Sequence, residues 1–178
     1  QILALRRDLR ILDIRGNVDT RLQKLASGTY DAIVLACAGL NRLGLGGRIS
    51  FPLPFDQMLP APGQGALALE IRRADPVVHP LIAPLHHVPS AISVLAERAF
   101  LRRMGGGCNA PVAAYAAYDE GKVKIEGLLA APDGSRVIRD SVTGSHVRAE
   151  ETASALADTI LAQAVRDRLE SLFQRDNQ

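Results

Sequence analysis

The alternation of apolar and polar positions divides the 178-residue chain into two regimes. In the first, short apolar runs alternate with segments of helical period. Residues 9–14 read as a strand ending at Arg15-Gly16, and Asn17 then caps a helix whose apolar face is Val18, Leu22 and Leu25, closed by Gly28. Residues 31–36 form a near-continuous apolar run of the kind buried on both faces of a sheet. A short helix through Leu40 and Leu43 follows, then glycines at 44, 46 and 47. Residues 66–71 are a third strand candidate. Strand, helix, strand, helix is the pattern of an α/β layer with a parallel sheet. Ile2, Leu3 and Leu5 read as the end of a further helix, so the chain begins in mid-pattern and is expected to be a fragment.

From Ser90 the pattern changes. Ile92, Leu95, Ala96, Ala99 and Phe100 recur at helical spacing up to Met104, with Arg98, Arg102 and Arg103 toward the end, where the helix dipole favours cations. Three runs, 110–118, 122–130 and 136–142, read as antiparallel strands joined by the hairpin signals Asp119-Glu120-Gly121 and Pro132-Asp133-Gly134-Ser135. Residues 150–173 read as an amphipathic helix with Leu156, Ile160, Leu161, Ala164, Leu169 and Leu172 toward the core. Between the regimes lie two proline-punctuated stretches, 52–62 and 75–89, the second with room for a short helix. The expected organisation is an α/β domain over 1–58, a hinge and crossing segment over 59–88, and a small α+β domain with a three-stranded antiparallel sheet over 89–178.

Composition narrows the function classes. A hydrophobic content of 47% marks a globular chain, and 21 Lys plus Arg against 19 Asp plus Glu give no field to steer it to nucleic acid or an acidic membrane. Two cysteines, Cys37 and Cys108, make no disulfide framework and suit a reducing compartment, which points to the cytoplasm. No apolar run reaches the length of a membrane span, and no targeting segment is read at the start. His79, His86 and His87 fit no ligand spacing, so no metal site is expected.

The chemistry-bearing features are two. A strand ending at Arg15-Gly16 and entering a helix presents free N–H groups and the positive helix end, while Arg15 and Arg21 add forked donors suited to carboxylates. The competing reading is structural: Arg21 solvated on its helix, Arg15 paired with Asp13. The second crossing repeats the geometry, with small residues around Ala36 admitting a ligand to the backbone and Arg42 just beyond. In a doubly wound sheet both crossings open on one edge, so the three arginines would converge on a polyanionic small ligand. The other feature is Gly105-Gly106-Gly107-Cys108, which delivers a lone cysteine onto bare backbone after a helix. A cap followed by a buried small residue explains it equally well.

These blocks resemble the porphobilinogen deaminase (hydroxymethylbilane synthase) family. The resemblance is carried by Arg-Gly-Asn-Val-Asp-Thr-Arg-Leu at 15–22, Tyr-Asp-Ala-Ile-Val-Leu-Ala at 30–36, Ala-Gly-Leu-Asn-Arg-Leu-Gly at 38–44, Leu-Pro-Ala-Pro-Gly-Gln-Gly-Ala-Leu at 59–67, and the glycine-cysteine loop with Ala-Glu-Arg-Ala-Phe-Leu before it. It implies a periplasmic-binding-protein-like second domain and a transferase of porphyrin and heme biosynthesis. Such an enzyme condenses four porphobilinogen molecules head to tail into hydroxymethylbilane with release of ammonia. It further implies a dipyrromethane cofactor in thioether linkage to Cys108, a bond in which soft sulfur holds a pyrrole methylene. Arg15, Arg21 and Arg42 would then bind the acetate and propionate groups, with Ala36, Gln64 and Gly65 as crevice and hinge contacts. The partners implied are porphobilinogen and linear polypyrroles, with a monomer expected. The family's catalytic aspartate has no match at Asp8, Asp13, Asp19 or Asp31, so no catalytic acid is assigned and the chain alone is expected to be inactive. The alternative is a non-catalytic anion-binding module of the same sheet type.

Overall fold

A computed structural model of the chain describes residues 1–105 and 110–167. Its first half carries short helices: α1 (Ile2–Leu5), α2 (Val18–Ala26), α3 (Cys37–Arg42) and α4 (Val78–Ile82). α2 starts at Asn17, whose Oδ1 accepts from the Thr20 N–H at 2.8 Å and so satisfies a donor that a helix start leaves orphaned. The second half consists of α5 (Val88–Arg103), strands β1 (Val112–Asp119), β2 (Lys122–Ala130) and β3 (Val137–Ser145), and α6 (Ala149–Arg166).

The three strands form one antiparallel sheet in the order β1-β2-β3, with Ile125 of β2 opposite Ala116 on one side and Val142 on the other. The β1–β2 loop is two residues, Glu120 at φ +41° and Gly121 at φ +81°, the paired left-handed conformation of a type I′ hairpin whose twist matches the strands. Alternation along the strands then gives the sheet two faces. Ala114, Ala116, Val123, Ile125, Leu129 and Ile138 turn to α5 and α6, where they bury Ala96, Phe100, Ala153, Leu156 and Ile160. On the opposite face Ala113, Leu128 and Ala130 bury Leu59 from the preceding segment. Phe100 lies so close over Gly127 that a side chain there would meet its ring. The helix expected over 150–173 is observed to Arg166, and Leu169 and Leu172 lie outside the described residues. Leu95, expected on the apolar face of α5, is instead 46% exposed.

The first half departs from the sequence expectation. Residues 9–14, 31–36 and 66–71 are not hydrogen-bonded as strands, and the antiparallel sheet is the only sheet among the described residues. The expected parallel βαβ crossings are therefore corrected: each helix is present, the sheet between them is not. A strand exists through the N–H and C=O partners on its neighbour, and these three segments supply none to one another. Their apolar side chains stay exposed in consequence, among them Ile11, Leu12, Val34, Leu67 and Leu69. The expectation that 31–36 is buried on both faces is corrected for the same reason.

The close approach of Phe100 to Gly127 yields a stability prediction. Gly127→Ala forces that ring or the strand to shift and should destabilise the chain by about 1–3 kcal/mol. Gly39→Ala, into open space within α3, should instead stabilise it by about 0.4–1 kcal/mol, since alanine has the higher helix propensity. Urea unfolding followed by circular dichroism compares them, and equal midpoints for the two variants would contradict the packing described.

Candidate functional site

The turn that enters α2 is built on Gly16. Its φ of +120° excludes ordinary side chains, and a Cβ there would also strike Thr20 Cγ2 at 2.8 Å. The helix then reaches back over the turn: Arg21 Nε donates to the Gly16 carbonyl at 2.9 Å and Lys24 Nζ to the Arg15 carbonyl at 3.0 Å. Arg15 is exposed and Arg21 half-buried. Neither guanidinium has a carboxylate partner among the described residues. The structural alternative for Arg15 is thereby removed, since Asp13 makes no ion pair with it and uses its backbone carbonyl to accept from the Tyr30 hydroxyl at 2.8 Å.

At the second crossing Ala36 is exposed and stands just ahead of α3, Cys37 is its half-buried first residue, and Arg42 is its exposed last residue. No hydrogen bond or ion pair among the described residues links Arg42 to the Arg15–Arg21 turn. The structure brings Arg15 and Arg21 together through one turn and leaves Arg42 on a separate helix.

The hinge segment is fastened at several points. Leu59 is 1% exposed, and the Gln1 carboxamide clasps its backbone, donating to the Leu59 carbonyl and accepting from its N–H, both at 2.9 Å. Arg139 of β3 donates to the carbonyls of Phe55 and Asp56 at 2.6 and 2.7 Å and to Glu126 at 2.6 Å, while the Phe55 ring lies 4.2 Å from that of Tyr115. Beyond Leu59 come two successive turns, closed by Gln64 N–H to Ala61 O at 3.0 Å and Ala66 N–H to Gly63 O at 3.2 Å. Pro62-Gly63 occupies the central positions of the first, with Gly63 at φ +78°, the residue pattern of a type II turn. Gln64 and Gly65, with Gly65 at φ +85°, stand exposed at the apex.

One participant was not singled out from the sequence. Glu97 of α5 is 6% exposed, the one buried charged residue among those described. Its Oε2 accepts from the Gly63 N–H at 2.6 Å and its Oε1 from the Ala116 N–H at 2.8 Å, so one carboxylate joins hinge, helix and sheet edge. Burial pushes its carboxyl above the ordinary glutamate range, and the two N–H donors pull the other way. The signal was available: a glutamate between Ala96 and Phe100, on a helix face otherwise apolar.

Cys108 and its neighbours Gly106, Gly107 and Asn109 lie outside the described residues. The flanks are defined. Gly105 at φ +70° closes α5, and β1 begins at Val112. Arg102 and Arg103 at the end of α5 are paired: Arg102 with Glu150 at 2.8 Å and Arg103 with Asp158 at 2.6 Å, both on α6. Asp8 is held down to about 2 by its hydrogen bond from Arg6, the wrong direction for a proton donor at neutral pH. His87 caps α5 with Ser90, and no group of three or more His, Cys, Asp or Glu among the described residues could hold a metal ion. Among them no helix is long and apolar enough to cross a membrane.

A mixed α/β chain with a three-stranded antiparallel unit, a tethered glycine hinge and an arginine-bearing helix entrance is the class so defined. Residues 1–80 match the family model described as "Porphobilinogen deaminase, dipyromethane cofactor binding domain", and residues 91–162 that described as "Porphobilinogen deaminase, C-terminal domain". The chain is 53% identical over 168 residues to a porphobilinogen deaminase of Thermus thermophilus, a match that covers 94% of this chain and 56% of the relative. The chain belongs to the porphobilinogen deaminase family.

The burial of Glu97 has a sign that can be checked. Because its folded value lies above its unfolded one, the stability it contributes is full below the unfolded value and is lost as pH rises through the folded one. Glu97→Gln does not titrate. The unfolding free energy of the native chain minus that of the variant should therefore fall as pH rises from the ordinary glutamate range toward neutrality. Parallel urea titrations measure it, and a difference constant with pH would show that Glu97 does not change its proton affinity on folding.

Proposed function

We propose that this protein works in tetrapyrrole biosynthesis as a porphobilinogen deaminase, condensing four porphobilinogen molecules to hydroxymethylbilane with release of ammonia. The observation that carries the reading is the 53% identity running through 94% of the chain. The donor set agrees with it. A dipyrromethane presents acetates and propionates, and Arg15, Arg21 and Arg42 are guanidiniums without a carboxylate partner among the described residues, which fits them to hold those groups bidentately. When attached, the dipyrromethane supplies the primer on which pyrroles are added.

The chain's own residues have the following proposed roles. Cys108 carries the cofactor through a thioether. Arg15 and Arg21 receive carboxylates at the α2 entrance and Arg42 at the end of α3, with the backbone at Ala36 lining the crevice and Gln64 and Gly65 contacting the ligand from the hinge. Residues 1–58 form part of a periplasmic-binding-protein-like domain, 59–88 the hinge and crossing segment, and 89–178 the domain that carries Cys108. The protein is read as cytoplasmic and monomeric, with small-molecule partners only.

In an intact deaminase containing these residues, intact-mass measurement should show one dipyrromethane adduct. Peptide mapping should place it on Cys108 and not Cys37, and Cys108→Ser should not retain it. Full activity with Cys108 unmodified would overturn the reading and favour an anion-binding module.

The arginine roles are separable from stability in the same protein. Arg15→Leu should lose activity with its melting temperature nearly unchanged, because its exposed side chain makes no hydrogen bond or ion pair among the described residues. Arg21→Leu should lose activity and also about 0.5–1.5 kcal/mol of stability, through its bond to the Gly16 carbonyl. Variants that melt early yet turn over normally would assign both residues to the fold instead.

A further inference from the structure

We propose that Glu97 is a positioning residue that locks the Gly63 turn to α5 and to the β1 edge, so that the exposed Gln64-Gly65 apex is held in place by the helix. Glu97 stands within α5, six residues before its last residue Arg103, roughly 9 Å along a helix at 1.5 Å per residue. From the same helix the Glu97 carboxylate reaches Gly63 at 2.6 Å and Ala116 at 2.8 Å. The hinge meets the β1 edge a second time where the Ala114 N–H donates to the Pro60 carbonyl at 3.2 Å, so the turn is fixed in both position and orientation.

The two contacts of Glu97 are not equivalent. Ala116 is buried, and its N–H has no water to replace the carboxylate. Gly63 is half-buried at the start of an exposed turn, with water at hand. The Gly63 contact is thus the one that opens when the tie weakens, which frees Gln64 and Gly65 without unfolding the helix or the sheet. The Glu97 carboxyl group accepts on both of its oxygens, one N–H to each. A glutamine of the same shape offers one acceptor and one NH2, and the NH2 confronts an N–H. The consequence for substrate binding rests on the function proposed above, whereas the tie itself does not.

Amide hydrogen exchange on this chain, native against Glu97→Gln, tests the tie. The Gly63 amide should exchange about tenfold faster or more in the variant, the loss of one charge-assisted hydrogen bond. Amides of α6 and the β2–β3 ladder should stay within about twofold. Unchanged exchange at Gly63 in the folded variant, or a uniform rise at every amide, would overturn the proposal, the second by showing a role in global stability alone. Should the variant not fold, a through-hydrogen-bond coupling between the Gly63 nitrogen and the Glu97 carboxyl carbon in the labelled native chain decides the matter, and its absence beside visible β1–β2 couplings also overturns it. If Cys108 proves unmodified in an intact deaminase, the proposed function fails while the exchange result stands.

Discussion

The outer edge of β1 is the constraint on which the rest of the C-terminal unit depends. A terminal strand presents N–H groups with no partner strand, and a buried N–H left unpaired costs about 1–3 kcal/mol. Here the Ala114 N–H finds the Pro60 carbonyl and the Ala116 N–H finds Glu97. The edge is thus closed by a backbone carbonyl from the hinge and a carboxylate from the helix. Because Glu97 also takes the Gly63 N–H, closing the edge and placing the hinge are one event. The same segment buries Leu59 on the sheet face that the helices leave open, and Arg139 grips the carbonyls of Phe55 and Asp56. Residues 55–63 are therefore tied to the C-terminal unit at several points.

These contacts are not visible in the proline punctuation of residues 52–62. Four prolines within eleven residues remove donors and forbid regular structure, which is visible in the sequence. Of the groups they leave, the Pro60 carbonyl goes to β1 and the Phe55 and Asp56 carbonyls to β3, while the N–H of Gly63 just beyond goes to Glu97. Proline density reported the lack of regular structure. It could not report pairing to something 34 or 83 residues away, as between Gly63 and Glu97 or Asp56 and Arg139.

The second half was legible because its determinants are local. The Asp119-Glu120-Gly121 hairpin, the two-residue alternation and the helical spacing of Ala96, Ala99 and Phe100 each specify their own element, and α5 and α6 then pack on the sheet face that the alternation makes apolar. In the first half α2 was equally legible, since Asn17 caps it from three residues away. The strands were not, because apolar runs state a capacity to pair and say nothing of whether a partner lies within reach. Leu67 at 76% and Leu69 at 60% exposure measure that unmet capacity. In the site, the sequence pointed to Arg15, Arg21, Arg42, Gln64 and Gly65, and it missed Glu97 because the two N–H donors that meet its carboxylate come from 34 and 19 residues away.

Arginine pairing differs between the two halves, although exposed Arg98 of α5 also meets no carboxylate among the described residues. In the C-terminal unit Arg102, Arg103, Arg136, Arg139 and Arg148 each meet a carboxylate at 2.6–2.8 Å, so their charges are spent within the fold. In the first half Arg6 and Arg72 pair locally, while Arg15, Arg21 and Arg42 meet no carboxylate among the described residues. Lack of a partner alone does not make a binding residue, since exposed Arg10 and Arg48 share it. Arg21 differs in what the chain invests in it. Gly16 holds a backbone angle closed to other residues, Asn17 caps the helix, and the Gly16 carbonyl takes Arg21 Nε, leaving the two terminal nitrogens of the fork without a hydrogen-bond partner among the described residues. A guanidinium fixed by one nitrogen and unspent at the other two has part of its ordering entropy already met by folding, which supports the carboxylate-binding role proposed for it.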